Sequence, residues 1–258
     1  MNTYVNKSSL KKYGLELPLR YLLYKLRGWD FISGQRPDYL IANSTFTSRR
    51  IKKYWGLNSE VIYPPVNIKR FKFNLERENF YLSVCRLVPN KRVDLIIKAF
   101  NKLGLPLIVV GDGPEKVNLK KLASPNIQFY GNDTNANVEK LMSTCRAFVY
   151  AGIEDFGIAP IEAMASGAPV IALAKGGLLD TVNCLTNCSK NEIPTGILFK
   201  EQNSLIIKDT LSWFEDKKVW KKFRPEIQNK FARKFSQENF KIKLGKFINK
   251  SWDEFKKK

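Results

Sequence analysis

From residue 80 onward, short unbroken apolar runs alternate with stretches in which apolar positions recur every three or four residues. Phe80 to Leu87, Leu105 to Gly111, Ile127 to Tyr130, Ala147 to Tyr150, Pro169 to Leu173 and Ile197 to Phe199 read as strands. Val93 to Leu103, Glu115 to Leu122, Ala136 to Cys145, a segment through Glu162 and a short piece from Leu178 to Val182 read as helices. Strands that are apolar on both faces and separated by single helices predict an α/β fold with a doubly wound parallel sheet. The loops 86–91, 111–115, 131–135, 151–157 and 174–180 all follow predicted strands. They therefore emerge together at the carboxyl edge of the sheet, where open α/β folds bind ligands.

The most informative of these junctions is Glu154-Asp-Phe-Gly-Ile-Ala-Pro-Ile-Glu162, which runs on into Ala163-Met-Ala-Ser-Gly167. Ile158, Ile161, Met164 and Ala165 recur at helical spacing after the strand Ala147–Tyr150, so a strand, a loop and a helix meet here. Glu154 falls in the loop and Glu162 one or two helical turns further on. Both carboxylates can face a ligand lying across the helix start, where free backbone N–H groups favour a phosphate. Carboxylates accept hydrogen bonds from hydroxyls, so the pattern reads as a sugar-nucleotide site.

The chain has 258 residues, of which 44% are hydrophobic and 12% aromatic, enough for a substantial core without low-complexity tracts. No run approaches the roughly 18 apolar residues of a membrane span, and the first residues lack the apolar stretch of a secretory signal, so the expected location is cytoplasmic. Histidine is absent, which excludes imidazole chemistry. Cys85 and Cys145 sit in apolar segments and read as buried thiols, and Cys184-x3-Cys188 lacks the partners a zinc site needs, so no metal is expected. The net charge of +20 is concentrated at the two ends: residues 1–72 carry +10 and residues 217–258 carry +11, whereas residues 73–216 carry −1. No zinc-finger or RNP signature accompanies this charge, and no nucleic-acid partner is expected. The basic and aromatic segment Leu10 to Trp29 fits either an anionic membrane surface, with the protein peripheral on it, or an ordinary helix with a solvated basic face.

Arg86-Leu-Val-Pro-Asn-Lys91, Val109-Val-Gly-Asp-Gly-Pro114, Tyr130-Gly131, the Glu154 to Glu162 segment and Gly176-Gly177 occur in one order along the chain. In that order they resemble the donor-binding half of family 4 retaining glycosyltransferases with the GT-B fold, and most of all the mannosyltransferases that build bacterial surface polysaccharides such as O-antigen. Arg36 to Ser44, Arg50 to Tyr54 and Val61 to Val66 are similar to the end of the family's N-terminal domain and its linker. The resemblance implies a Rossmann-like donor domain at 73–216, a remnant of an acceptor-side domain with its linker at 1–72, and basic C-terminal helices at 217–258. By the same resemblance roughly the first 100 residues of the family pattern are missing, leaving a partial N-terminal domain and exposed apolar surface.

The resemblance assigns Arg86 and Lys91 to the donor diphosphate, Glu162 to the ribose hydroxyls, and Glu154 to the hydroxyls of the donor sugar. Lys91 with Arg92 fits, alternatively, a solvated helix start, where cations oppose the helix dipole. Phe156, Gly157 and Ile158 would bring backbone N–H groups to sugar or phosphate. Tyr130 and Gly131 would lie beside the base, with Tyr130 equally suited to the core. Gly111 and Gly113 read as a tight turn that leaves the ligand room, and Gly176-Gly177 as a loop approaching the donor. Where the family usually carries Glu shortly after that pair, this chain has Asp180. No Asp-x-Asp motif occurs, which fits metal-independent transfer with no cofactor beyond the donor substrate. The implied activity is retaining transfer of a hexose, mannose from GDP-mannose, to a glycan or lipid-linked acceptor. The alternative is a non-catalytic or partner-dependent subunit that binds nucleotide sugar, its cleft completed by a second polypeptide or a homodimer.

Overall fold

A computed structural model describes residues 16–186 and 193–257. Six strands, β3 (Tyr81–Val84), β4 (Leu107–Val110), β5 (Ile127–Gly131), β6 (Ala147–Tyr150), β7 (Val170–Leu173) and β8 (Gly196–Phe199), form one sheet in the order β5-β4-β3-β6-β7-β8. Every neighbouring pair is parallel. The connecting helices are α3 (Val93–Leu103), α4 (Lys116–Leu122), α5 (Asn135–Thr144), α6 (Ile158–Ala165), α7 (Leu178–Thr181) and α8 (Ser204–Asp216).

Side chains alternate between the two faces of a strand, so each strand supplies both cores. Leu82, Phe148, Tyr150, Val170 and Ala172 pack with Met142 of α5 and with Ile161 and Met164 of α6. Tyr81, Val109, Val149, Ile171 and Leu173 pack with Ile96 and Phe100 of α3 and with Leu211 and Phe214 of α8. Helices on both faces of an all-parallel sheet bear out the doubly wound reading. Three strands are shorter than their apolar runs, β7 by the single residue Pro169. Pro106 has no N–H to donate to a ladder, so β4 begins at Leu107, while Cys85 to Leu87 leave β3 to pack against the loop after β4.

The N-terminal part adds α1 (Glu16–Gly34), β1 (Ile41–Ala42), α2 (Thr45–Trp55) and β2 (Glu60–Val61), with β1 and β2 parallel in a separate two-stranded sheet. Gly34 lets the Trp55 ring lie against it, where a Cβ would stand 2.7 Å from the indole, and the Trp55 indole N–H donates to Asp30 at 3.0 Å. Among the described residues no helix is long and apolar enough to cross a membrane. Of the basic aromatic segment, residues 10–15 lie outside the described residues. In α1 the apolar side chains of Leu17, Tyr24 and Trp29 are 78%, 69% and 67% exposed.

The tail is divided between the two parts of the molecule. α9 (Pro225–Ala232) lies on α6, and Phe231 and Phe235 enter the core beside it. α10 (Gln237–Phe255) crosses to the N-terminal part, where Phe247 meets Tyr39 edge-on at 6.5 Å. Val66, at the end of the linker, bridges to Ser236 just before α10.

Candidate active site

β3 and β6 are neighbours at the centre of the sheet, and the chain leaves them toward opposite edges. A crevice opens at such a reversal, between the loops that follow the two strands. Lys91 comes from the first loop, at the end of the 3₁₀ turn Pro89–Lys91, and Glu154 from the second. Their side chains form an ion pair, each 21% exposed. The Tyr150 hydroxyl, at the end of β6, donates to the same Glu154 oxygen, Oε1. Gly152 makes this possible, because a Cβ there would meet the Tyr150 ring at 3.0 Å and the Lys91 Cα at 3.2 Å. Arg92 caps α3 in the left-handed region with φ 53° and turns its guanidinium to Asp94. Lys91 itself points into the crevice rather than along the helix.

Beside this pair lies an open cavity of about 600 Å³, lined by Cys85, Arg86, Gly111, Gly113, Gly131 and Ala159 among others. Arg86 is exposed, and its guanidinium makes no ion pair among the described residues. Burial pushes the Cys85 thiol up to about 12, which leaves it protonated and inert at neutral pH. Gly111 has φ 138°, and a Cβ on it would lie 1.9 Å from the Cys85 carbonyl oxygen. A Cβ on Gly113, at φ 156°, would lie 2.4 Å from the Leu87 carbonyl. The two loops are therefore packed backbone to backbone, and the glycines serve loop packing before they serve a ligand. Tyr130 does not take the core placement, one of its two expected places. It is 45% exposed, its hydroxyl faces Gln128 at 3.4 Å, and it lines a groove with Pro106 and Asn137 rather than the cavity. Its side chain lies on the same face of the edge strand β5 as the exposed Gln128, opposite to Ile127 and Phe129, which pack with the core.

The helix that follows Glu154 is organised by three residues. Gly157 caps α6 at φ 98°, where a Cβ would press on Leu178 at 2.7 Å. Phe156 turns its ring into the core, stacked on Tyr63 at 5.7 Å and edge-on to Phe235 at 5.7 Å, so only its backbone remains for a ligand. Pro160 occupies the first turn, where its missing N–H costs nothing, and Ile158 beside it is 48% exposed. Glu162 lies on the second turn, and its carboxylate has no hydrogen bond or ion pair among the described residues. Burial, reinforced by Glu139 and opposed by Arg70, raises the Glu162 carboxyl above its usual range. A raised acid favours the folded state when protonated. Its contribution is complete below the unfolded value of about 4.3 and is lost as pH rises through the folded value. Glu162→Gln should therefore raise the melting temperature at neutral pH and leave it unchanged near about pH 3.5, as scanning calorimetry at the two pH values would show. An equal shift at both would place the gain in packing rather than charge.

Gly176 and Gly177 approach Glu154 instead of open space. A Cβ on Gly176 would lie 2.2 Å from the Glu154 carbonyl, and the Gly177 N–H donates to that carbonyl at 2.8 Å. Asp180 also faces protein: it accepts from the Thr45 N–H at 2.6 Å and from the Thr45 hydroxyl, across to the first residue of α2. A carboxylate at a helix N-terminus compensates the exposed N–H groups and the helix dipole. Arg50, one and a half turns further along α2, pairs with Asp155 at 2.9 Å. The N-terminal part is thus tied to the loop that carries Glu154 and to α7. Sequence reasoning missed Tyr150, Thr45 and Arg50; only the four-residue spacing from Tyr150 to Glu154 carries any local signal. Among the described residues no group of three or more Cys, Asp or Glu side chains is placed to hold a metal ion, and Cys188 of the Cys184-x3-Cys188 pair lies outside them.

Comparison with known proteins gives a consistent result. The family described as glycosyl transferases group 1 matches residues 66–235. An uncharacterized glycosyltransferase of Methanocaldococcus jannaschii is 28% identical over 206 residues, which cover 78% of this chain and 56% of that protein. The O-antigen chain mannosyltransferase RfbU of Salmonella typhimurium is 30% identical over 152 residues, covering 54% and 43%. The chain spans about half the length of the curated relatives it matches. Among solved structures, Anabaena HepE in complex with UDP and glucose superposes with a TM-score of 0.71 at 19% identity, over 84% of this chain and 64% of that one.

Proposed function

The chain belongs to the glycosyl transferases group 1 family, and on that premise we propose that it binds a nucleoside-diphosphate sugar at the carboxyl edge of its sheet. It transfers the hexose, with retention and without a metal ion, to a glycan or lipid-linked acceptor. The meeting of Lys91 and Glu154 at the reversal of strand order, beside the exposed guanidinium of Arg86, supports this reading most directly. Arg86 and Lys91 neutralise the charge that builds on the diphosphate as the anomeric C–O bond breaks. The acceptor oxygen bonds to the anomeric carbon from the same face, and its proton passes to the departing phosphate oxygen. Glu162 accepts from the ribose hydroxyls and Glu154 from those of the sugar. Gly131 lies beside the base, and the amides from Phe156 to Ile158 face sugar or phosphate. RfbU is a mannosyltransferase, which favours GDP-mannose as the donor.

Titration calorimetry of GDP-mannose, a UDP-sugar and an ADP-sugar in the presence of EDTA tests the assignment. GDP-mannose is expected to bind tightest. Affinity that depends on added divalent metal, or equal affinity for all three, would count against it.

The exposed apolar side chains of α1 favour a second reading, in which donor binding needs only this chain but transfer needs another polypeptide or a second copy laid on that face. Light scattering followed by transfer to free or lipid-linked mannosides separates the two. Robust transfer by a monomer removes the second reading.

A further inference from the structure

Glu154 is held at several points, and the nature of each differs. Its backbone carbonyl accepts the Gly177 N–H at 2.8 Å, which fixes where the side chain starts. One carboxylate oxygen, Oε1, accepts from both Lys91 and Tyr150, while the other, Oε2, has no partner among the described residues. The two donors are not equivalent. Lys91 is a flexible ammonium with three N–H groups, and the proposed reaction draws it toward a diphosphate. Tyr150 is 3% exposed, its ring lies nearly parallel to Phe148 with centroids 6.3 Å apart, and Gly152 closes over it. Its hydroxyl therefore has one place to be. Burial, followed by the hydrogen bond to Glu154, raises the phenol far above its usual range, so it stays a donor at every physiological pH.

We propose that Tyr150 is a positioning residue for donor-sugar recognition: by holding Oε1 of Glu154 it aims Oε2 at the hydroxyls of the bound hexose. This rests on the reading of Glu154 as the sugar-binding carboxylate. Tyr150 itself touches neither the sugar nor the nucleotide. Its contribution appears only in the difference between the affinity for a nucleotide sugar and that for the bare nucleotide.

The experiment is a double-mutant cycle with GDP and GDP-mannose as probes, using Tyr150→Phe, Glu154→Gln and the double variant, each first shown to be folded by its melting curve. Tyr150→Phe should leave GDP affinity unchanged and weaken GDP-mannose about five- to tenfold, the scale of one hydrogen bond. In the Glu154→Gln background the same substitution should have no further effect on GDP-mannose. A merely structural role would weaken both ligands together, or cost the same in both backgrounds, and either outcome overturns the proposal. If Glu154→Gln alone leaves GDP-mannose binding at the wild-type level, the reading of Glu154 fails first, and the role of Tyr150 fails with it. If Glu154→Gln weakens GDP-mannose and Tyr150→Phe does not, only the role of Tyr150 is lost.

Discussion

Lys91→Ala is expected to weaken binding of GDP by at least about 1.5 kcal/mol, a factor of roughly ten or more, the scale of a charge-assisted hydrogen bond to phosphate. The Lys91 side chain is 21% exposed, with its ammonium beside a carboxylate and an aromatic ring, so water does not fully screen it. Glu162→Ala is expected to cost a similar amount through the ribose. Glu154→Gln should spare GDP, because Glu154 is assigned to the sugar alone. Calorimetry with GDP distinguishes these roles. Undiminished affinity in both Lys91→Ala and Glu162→Ala would remove the donor-site assignment, and an equal loss in Glu154→Gln would show that the division between nucleotide and sugar is wrong.

Gly111→Ala should be more damaging to the fold than any other single methyl addition near the cavity. Its φ of 138° is one that side chains rarely adopt, and the new carbon would stand 1.9 Å from a backbone oxygen, so one of two packed loops has to move. A loss of about 3 kcal/mol or more is expected, a large share of the roughly 5–15 kcal/mol that stabilises a domain. Gly104 provides the control. It too has positive φ, at 69°, but nothing lies within 4 Å of its Cβ position. Gly104→Ala should cost about 1 kcal/mol, from backbone strain alone. Urea unfolding of the two variants reads the difference between strain and collision. Equal midpoints would mean that the loops after β3 and β4 are not packed as described.

The sequence assigned chemistry to Arg86, Lys91, Glu154 and Glu162; in the structure Lys91 and Glu154 meet across the crevice, Arg86 lines the cavity beside them, and Glu162 lies on the helix that starts there. At other positions the structure adds contacts that the sequence did not show. Gly176 and Gly177 approach the Glu154 backbone, and Asp180 holds Thr45 of the N-terminal part. Tyr130 turned outward. The contact between Asp180 and Thr45 joins residues 135 positions apart, and Gly176 and Gly177 meet Glu154 from a different strand's loop. A local pattern has no access to such distances.

The sequence by itself determined the order of strands and helices between residues 80 and 199, the parallel sheet they form and the loops that meet at its carboxyl edge. Those follow from the spacing of apolar residues and from the rule that an apolar strand must be covered on both faces, which are properties of short segments. Only the tertiary structure decided that Tyr150 and Lys91 share one oxygen of Glu154, that Phe156 belongs to the core with Tyr63 and Phe235, and that α2 is tied across to Asp155 and Asp180. Those contacts join segments whose approach is fixed by how helices of particular bulk settle on a twisted sheet. That packing is a property of the whole chain, since the direction of any one side chain depends on every layer beneath it.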